Sequence, residues 1–515
     1  MFSSLKFFIR NMAKYENNSL KILGMVEMVL GVMLIFPVLF AIYCGDDPMV
    51  FAYPIPFLLI FGTIQYLKFK SNSAMSAYIG MFTLFLSWGL AFIVSSIPFL
   101  LYGFSPVDSL FEGVSGFTTT GASTLVDFES LPRSLLLWRS FVQWAGGISI
   151  VMIFVFLIPM MGLGGRAFRN NELAGYDTYN FSMYMKTSAK HFISIYVLLT
   201  IAEVVLLLVA GVSTFDSVSM TLSTISTGGL MATGDSVMSY SRIVQGIIMV
   251  FMFLGGTNFY LHYRAIYKKN PTAYIKSQEF IWTIIWFAIA LVAISVIVLT
   301  HMSDAIISDM GVATSTLWDT LFTVISVGTS TGYYTTDLAI WPQAAIMILW
   351  IMAVFGSMSG STSGGVKVYR LLILKSYISN GIHKMFHPND VRDVKIDGHS
   401  VDNQSVVSAV VVVALFLLTW VISILLLLAV EPDMGMDDAI GLSISALGNL
   451  GINTGGYEFY ELSDISKIIL SFVMWIGRME VVMALLIFTK TFWAGVASGM
   501  RKNNTPKTVS RQWRR

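Results

Sequence analysis

Four times along this 515-residue chain an Asp is followed twelve or thirteen residues later by a Gly in a small, polar, turn-forming stretch, and each unit lies between two apolar segments. Asp108 leads to Gly121, Asp216 to Gly228, Asp319 to Gly332 and Asp438 (or its neighbour Asp437) to Gly451, with the glycines 107, 104 and 119 residues apart. Self-similarity at this scale marks an internal repeat. Such a chain has few ways to fold in a bilayer. Backbone polar groups there must be satisfied within the protein, so spanning stretches are helices, and a dip that does not span must be buried in protein or line water.

Composition places the chain in a membrane. Hydrophobic residues make up 55% and charged residues 12%, and the mean hydropathy is +0.72, far from soluble globular domains. The single cysteine, Cys44, excludes an intramolecular disulfide framework. The first twenty residues carry Lys6, Arg10 and Lys14 without a short apolar core and small-residue cleavage site, so no removable signal is read. A spanning helix needs about 20 apolar residues, and ten such stretches are predicted, two of them ahead of the repeats.

The predicted fold is an all-α integral membrane protein: four pseudo-symmetric helix–pore loop–helix repeats around one central pore, plus two extra N-terminal transmembrane helices. The expected divisions are a two-helix region at 1–70, repeat 1 at 71–165, repeat 2 at 186–270 and repeat 3 at 277–385. A cytoplasmic segment at 386–404, repeat 4 at 405–498 and a basic tail at 499–515 complete the chain. With the N-terminus inside, 27 of the 32 Lys and Arg residues fall on the inner side, in keeping with the retention of positive loops in the cytoplasm. All four pore segments then face outward, where acidic residues concentrate cations.

Each Asp sits where a short re-entrant helix would start and cap free N–H groups. Such a helix aims its partially negative C-terminal end at the membrane centre, favouring a cation. The glycine beyond it can take positive φ, turning successive carbonyl oxygens toward one axis, and four such turns replace the water around a dehydrated ion. The expected ion ligands are Thr118, Thr119, Thr120 and Gly121; Ser226, Thr227 and Gly228; Thr329, Ser330, Thr331 and Gly332; and Gly448, Asn449, Leu450 and Gly451. Because Asn449 and Leu450 replace hydroxyl residues in the fourth copy, carbonyls are the expected common ligand.

In the third repeat the apolar run at 340–355 is 16 residues, about 24 Å of helix and short of a hydrocarbon core of roughly 30 Å. A glycine- and serine-rich stretch follows at 356–365, predicted to be an intramembrane gate loop containing Gly356, Gly360, Gly364 and Gly365. Arg478 lies mid-membrane in the last span, where an Arg costs about 2.5 to 3.5 kcal/mol on insertion scales and points inward to a partner. Its expected role is to touch the gate loop and raise an electrostatic barrier when the pore is shut; a structural pairing with Glu480 or with backbone carbonyls is the alternative.

These residues resemble the Trk/Ktr/HKT superfamily of potassium transporters, and specifically its TrkH-type pore subunits. The resemblance rests on Asp108-Ser-Leu-Phe-Glu-Gly-Val-Ser-Gly-Phe-Thr-Thr-Thr-Gly-Ala122, Leu137-Trp-Arg-Ser-Phe-Val-Gln-Trp-Ala-Gly-Gly147 and Gly255-Gly-Thr-Asn-Phe-Tyr-Leu-His-Tyr263, with Gly360-Ser-Thr-Ser-Gly-Gly-Val-Lys-Val368 and Ile476-Gly-Arg-Met-Glu480. It covers essentially residues 20–495, and the two extra N-terminal helices look like the TrkH type. It implies that Gly121, Gly228, Gly332 and Gly451 are the filter glycines, a pattern associated with K+, that 356–365 is the gate, and that Arg478 contacts it. It further implies potassium uptake across a bacterial or archaeal cytoplasmic membrane with both termini cytoplasmic. The implied assembly is a homodimer on a cytoplasmic TrkA-type ring of RCK regulator subunits binding ATP/ADP or NAD(H). The sequence departs from many members in carrying Ile452, not Pro, after Gly451.

Other motifs fail on context. Gly162-Leu-Gly-Gly-Arg-Ala167 matches a dinucleotide fingerprint formally but follows a spanning helix with no βαβ unit, so no nucleotide is expected on this chain, and nothing points to nucleic acid. His383 and His387 share a helical face without an acidic third ligand close in sequence, and the 384–404 segment is a plausible regulator-docking surface. No nucleophile–base or metal constellation indicates an enzyme. A proton- or Na+-coupled secondary transporter remains the competing function, with Glu203 able to carry a proton.

Overall fold

The computed structural model describes residues 17–69, 77–160, 178–301, 310–390 and 392–502. The fingerprint at 162–167, Arg166, Arg169 and the tail beyond 502 therefore lie outside the described residues. Helices α1 (Asn17–Met33) and α2 (Ile35–Cys44) form one span, and α3 (Met49–Ala52) with α4 (Pro54–Lys68) return across it. Gly24 on α1 and Gly62 on α4 each face the other's carbonyl so closely that an added methyl would lie 2.6 Å from it. Small residues at such a crossing let the two backbones meet. Gln65 donates to Glu27 at 2.8 Å across the same seam, giving this membrane carboxyl a partner.

Repeat 1 comprises α5 (Ala77–Leu101), α6 (Pro106–Phe117) and α7 (Arg133–Met160), and repeat 2 comprises α8 (Thr178–Val209), α9 (Thr214–Ile225), α10 (Arg242–Gly255) and α11 (Phe259–Ile266). A single turn, α12 (Ala273–Lys276), leads to repeat 3, built of α13 (Gln278–His301), α14 (Met310–Gly328), α15 (Gln343–Phe355) and α16 (Val368–Phe386). Strands β1 (Lys395–Ile396) and β2 (His399–Ser400) make a small antiparallel hairpin before repeat 4. That repeat contains α17 (Asn403–Val430), α18 (Met436–Leu447), α19 (Asp464–Arg478), α20 (Val481–Leu486) and α21 (Lys490–Lys502).

Seven described helices are long and apolar enough to cross a membrane. The other three expected spans are broken. As read from the sequence, α15 stops at Phe355, and at 13 residues it is about 20 Å long. The interruptions in repeats 2 and 4 were not anticipated: α10 and α11 meet at 98° across Gly256–Asn258, and Glu480, at φ 62°, ends α19 before α20. The second helices of repeats 2, 3 and 4 thus all break just past their contact with the centre, while α7 runs unbroken.

The short helices begin much as expected, with one correction. Serines cap α6 and α9: Ser105 accepts from the Asp108 amide at 3.0 Å, and Ser213 from the Asp216 amide at 3.2 Å. Each Asp instead sits in the first turn and takes its serine's hydroxyl, at 2.8 Å and 2.7 Å. A carboxylate there still complements the helix dipole. Asp319 lies within α14, not at its start, and accepts from Thr335 at 2.8 Å. In α18 the cap position is Gly435, and Asp438 accepts from the Tyr457 amide at 3.2 Å.

Candidate cation site and gate loop

The ends of α6, α9, α14 and α18 share one backbone pattern. Thr119, Thr227, Ser330 and Asn449 have φ of 54°, 53°, 54° and 52°, and the glycines two residues later, Gly121, Gly229, Gly332 and Gly451, have 87°, 73°, 91° and 74°. The amide between them folds back on a pore-helix serine carbonyl: Thr120 on Ser115 at 2.9 Å, Gly228 on Ser223 at 2.9 Å, Thr331 on Ser326 at 2.8 Å and Leu450 on Ser445 at 2.8 Å. This common register differs from the sequence reading in the second repeat. Gly229, not Gly228, is the counterpart of Gly121, and Gly228 takes the place of Thr120. Adjacent glycines hid the register; with Gly229 the Asp-to-Gly spacing is thirteen in every repeat.

The four turns close on one another. A methyl on Gly121 would strike the carbonyl oxygen of Gly228, one on Gly229 that of Thr331, one on Gly332 that of Leu450, and one on Gly451 that of Thr120. Each contact passes to the next repeat and the fourth returns to the first, so the turns form a closed ring with carbonyl groups at every seam.

Most hydroxyls of the turns are engaged in hydrogen bonds within the protein, that of Thr119 excepted. Thr118 and Thr329 donate to the carbonyls of Val114 and Ile325, each at 2.7 Å, and each also pairs with the threonine two residues on. Ser226 donates to Leu222 at 2.8 Å. Asn449 spends its amide on Thr120 and on the Met474 carbonyl, both at 2.9 Å. Backbone carbonyls are the groups common to all four turns; residues 118–120, 226–228, 329–331 and 448–450 are buried, and the four closing glycines are half-buried.

Side chains that the sequence reading did not single out hold the ring. Gln143 on α7 donates to the Gly228 carbonyl at 2.6 Å and accepts from Ser223 at 2.6 Å and from the Leu230 amide at 3.2 Å. Glu112 on α6 forms a 3.1 Å ion pair with Arg139 on α7, both side chains 1% exposed. Lys467 on α19 reaches Asp108 at 2.8 Å, joining the fourth repeat to the first. Only the buried charge of Arg139 and Lys467 in otherwise apolar segments could have flagged two of these contacts.

The 356–367 segment lies against the ring. Thr362 donates to the carbonyls of Ile225 at 3.2 Å and Gly255 at 3.0 Å, and Gly364 donates to the Ser330 hydroxyl at 2.6 Å. A methyl on Gly364 would meet the Gly448 carbonyl. The loop is therefore seated on turns two, three and four. Ser357 donates to Gly256 at 2.7 Å, and the Ser359 amide to Glu279 on α13 at 2.6 Å. Gly360 accepts from the Phe259 amide at 3.1 Å, so the break in repeat 2 also receives the loop. Gly356, Gly360 and Gly365 have φ of 64°, 69° and 78°, which glycine alone adopts at little cost.

Arg478 makes the expected contact, donating to the Thr362 carbonyl at 2.7 Å. Of the structural alternative, the pairing with Glu480 does not form, Glu480 binding Arg370 on α16 at 2.7 Å, whereas the bond to the Thr362 carbonyl is itself a pairing with backbone. Lys367, counted among the inner-side charges by sequence, is buried and donates to the carbonyl and the hydroxyl of Ser363. Lys367, Arg370 and Arg478 line a small cavity with Gly364 and Glu480. Cations gathered there oppose another cation. Elsewhere, Asp390 reaches His383 at 2.8 Å, a partner the sequence did not foresee. Bonds from His383 and Arg392 hold its carboxyl below the usual carboxylate range. Among the described residues no group of three side chains is placed to hold a metal ion.

The fold and this site define a multi-pass membrane protein in which a closed ring of backbone turns, with an intramembrane loop seated on it, occupies the centre. The family model for TrkH, described as "Cation transport protein", matches residues 49–495, and the chain belongs to that family. It is 32% identical over 425 residues to the Trk system potassium uptake protein TrkH of Salmonella typhimurium, covering 80% of this chain and 86% of the relative. It is 30% identical over 489 residues to the protein of that name from Vibrio parahaemolyticus, covering 92% and 98%. The crystal structure of the potassium transporter TrkH from Vibrio parahaemolyticus superposes with a TM-score of 0.84 at 29% identity, over 93% of this chain and 99% of that one.

Proposed function

We propose that this chain is the pore subunit of a potassium-uptake system in a bacterial or archaeal cytoplasmic membrane, with both termini cytoplasmic. The ring formed by residues 118–121, 226–229, 329–332 and 448–451 is its ion filter. K+ enters from outside, sheds water and is held by peptide carbonyls, assisted by the negative ends of α6, α9, α14 and α18. The observation that carries this reading is the cyclic closure of the four turns. The 356–367 loop is the gate: seated on three of the four turns, and backed by Arg478, it blocks the inner exit and sets a positive charge in the ion's way. Opening unseats the loop.

The proposed assembly is a homodimer controlled by a cytoplasmic TrkA-type RCK ring that binds ATP/ADP or NAD(H), with the 384–404 segment as its docking surface. The names of the relatives, all components of a Trk system, support a partnered uptake function. A coupled transporter is the second reading, favoured by Glu203. It is fully buried on α8, with the Thr224 hydroxyl beside its carboxyl.

Reversal-potential measurements on the reconstituted chain with its regulator and ATP or NADH separate the two. Reversal at the K+ equilibrium potential at every pH and Na+ gradient is expected. A reversal that follows the proton or Na+ gradient replaces the channel reading with coupling.

A further inference from the structure

We infer that the buried Glu112–Arg139 ion pair is a positioning device for ion discrimination, fixing the spacing of the first and second turns of the ring. The inference rests on the reading of that ring as a K+ site. The pair spans two elements, α6 and α7, and its hydrogen bonds reach the strands that leave two neighbouring turns. Glu112 accepts from the Thr124 amide at 2.7 Å and the Ser123 hydroxyl at 2.8 Å, three and two residues beyond Gly121 respectively. Arg139 donates to Ser123 at 2.7 Å and to the Met231 carbonyl at 3.3 Å, the latter two residues beyond Gly229. The guanidinium also lies 5.2 Å from the ring centre of Phe128. One ionic cluster therefore ties the exits of turns one and two together on the outer side of the glycines.

Two arguments separate this from ordinary packing. Burying an ion pair is costly, and well-packed apolar residues of similar volume are often as stable or better, so fold stability does not by itself account for it. What a charged, planar donor supplies is direction: Arg139 holds Ser123 and Met231 at set angles as well as set distances. Second, the device breaks the fourfold pattern. In the register set by Ser115, Ser223, Ser326 and Ser445, the counterparts of Glu112 are Met220, Thr323 and Leu442, none of them charged. Among the described residues the seam between turns one and two is the one braced by a fully buried pair; the Lys467–Asp108 pair between the fourth and first repeats is partly exposed. Carbonyl rings discriminate between ions through cavity size and ligand field, so a seam free to relax admits the smaller Na+ more readily.

Thermal unfolding of the purified chain in KCl, NaCl or choline chloride at equal ionic strength tests this without needing an open gate, since an ion bound to the folded state raises the midpoint by mass action. The wild type is expected to unfold highest in KCl. In the neutral pair Glu112→Gln/Arg139→Met the gap between KCl and NaCl is expected to fall by half or more. An equal drop in all three salts, with the gap intact, is what a merely structural role produces and overturns the inference. If that double variant is not recovered folded, Glu112→Asp, which keeps the charge but withdraws the carboxylate by one methylene, decides in the same way: a narrowed gap supports the inference and an intact one overturns it. A wild type with no gap between KCl and NaCl refutes the K+ site itself, a separate failure.

Discussion

Single residues carry the selectivity argument. A Cβ at Gly121 points into the Gly228 carbonyl, and φ there is 87°, a conformation costing an L-residue roughly 1–2 kcal/mol. Gly121→Ser is therefore expected to spread the seam and weaken discrimination against Na+, read as a reversal potential displaced toward the Na+ equilibrium value. Gly229→Ala meets the Thr331 carbonyl in the same way and should likewise erase the K+-over-Na+ difference in thermal midpoint; unaltered preference would return the second filter glycine to Gly228. Arg139→Ala strands the buried Glu112 carboxylate and is expected to cost about 3–5 kcal/mol, measurable by denaturant titration in detergent. At this scale the sequence pointed to Gly121, Gly332, Gly451 and Arg478 because small residues and a membrane charge are conspicuous, while two adjacent glycines hid Gly229. Glu112 and Gln143 stayed hidden, since one polar residue in a pore helix or a spanning helix looks like any other until its partner is known.

Elements explain how a loop can sit at membrane depth. Helix α15 stops early, α10 turns sharply at Gly256, and α19 ends at Arg478, so three broken helices leave room for 356–367 against the ring. Only the first of these breaks was read from the sequence, because its glycine- and serine-rich run extends over 356–365, whereas the break in repeat 2 offers only Gly255 and Gly256. The other two occur at Asn258, which caps α11 by accepting from the Tyr260 amide at 2.9 Å, and at Glu480, where positive φ is imposed on a residue that does not favour it. Gly364→Ala should displace the loop from the Gly448 carbonyl and raise K+ leak through the resting protein, measured as Rb+ flux into vesicles. Arg478→Gln is expected to raise the same leak by removing charge and loosening Thr362. A resting flux equal to wild type in both variants would exclude the loop as the gate.

For the whole molecule, apolar stretch length and repeat spacing disclosed the mostly helical membrane architecture, and of the ten crossings expected seven are matched by described helices long and apolar enough to span. The basic loops predict a sidedness that can be checked directly. In a Cys44→Ser background, Asp235→Cys is expected to react with an impermeant thiol reagent from outside the cell and His399→Cys only after the membrane is opened. The reverse pattern would invert the topology. The closure of the ring and the brace at its first seam were beyond the sequence, because they depend on contacts between separate elements, 27 positions apart for Glu112 and Arg139 and 359 for Asp108 and Lys467.

The bond from Asn449 to Thr120 joins positions 329 residues apart, and Lys467 reaches back to Asp108 across 359. A chain emerging from the ribosome makes its first half-helix long before the last one exists to meet it. The conduit is therefore incomplete until synthesis is nearly over, and contacts of such long sequence separation form slowly. Insertion thus proceeds without a finished leak path, and a prematurely terminated product lacks the part that closes the circle.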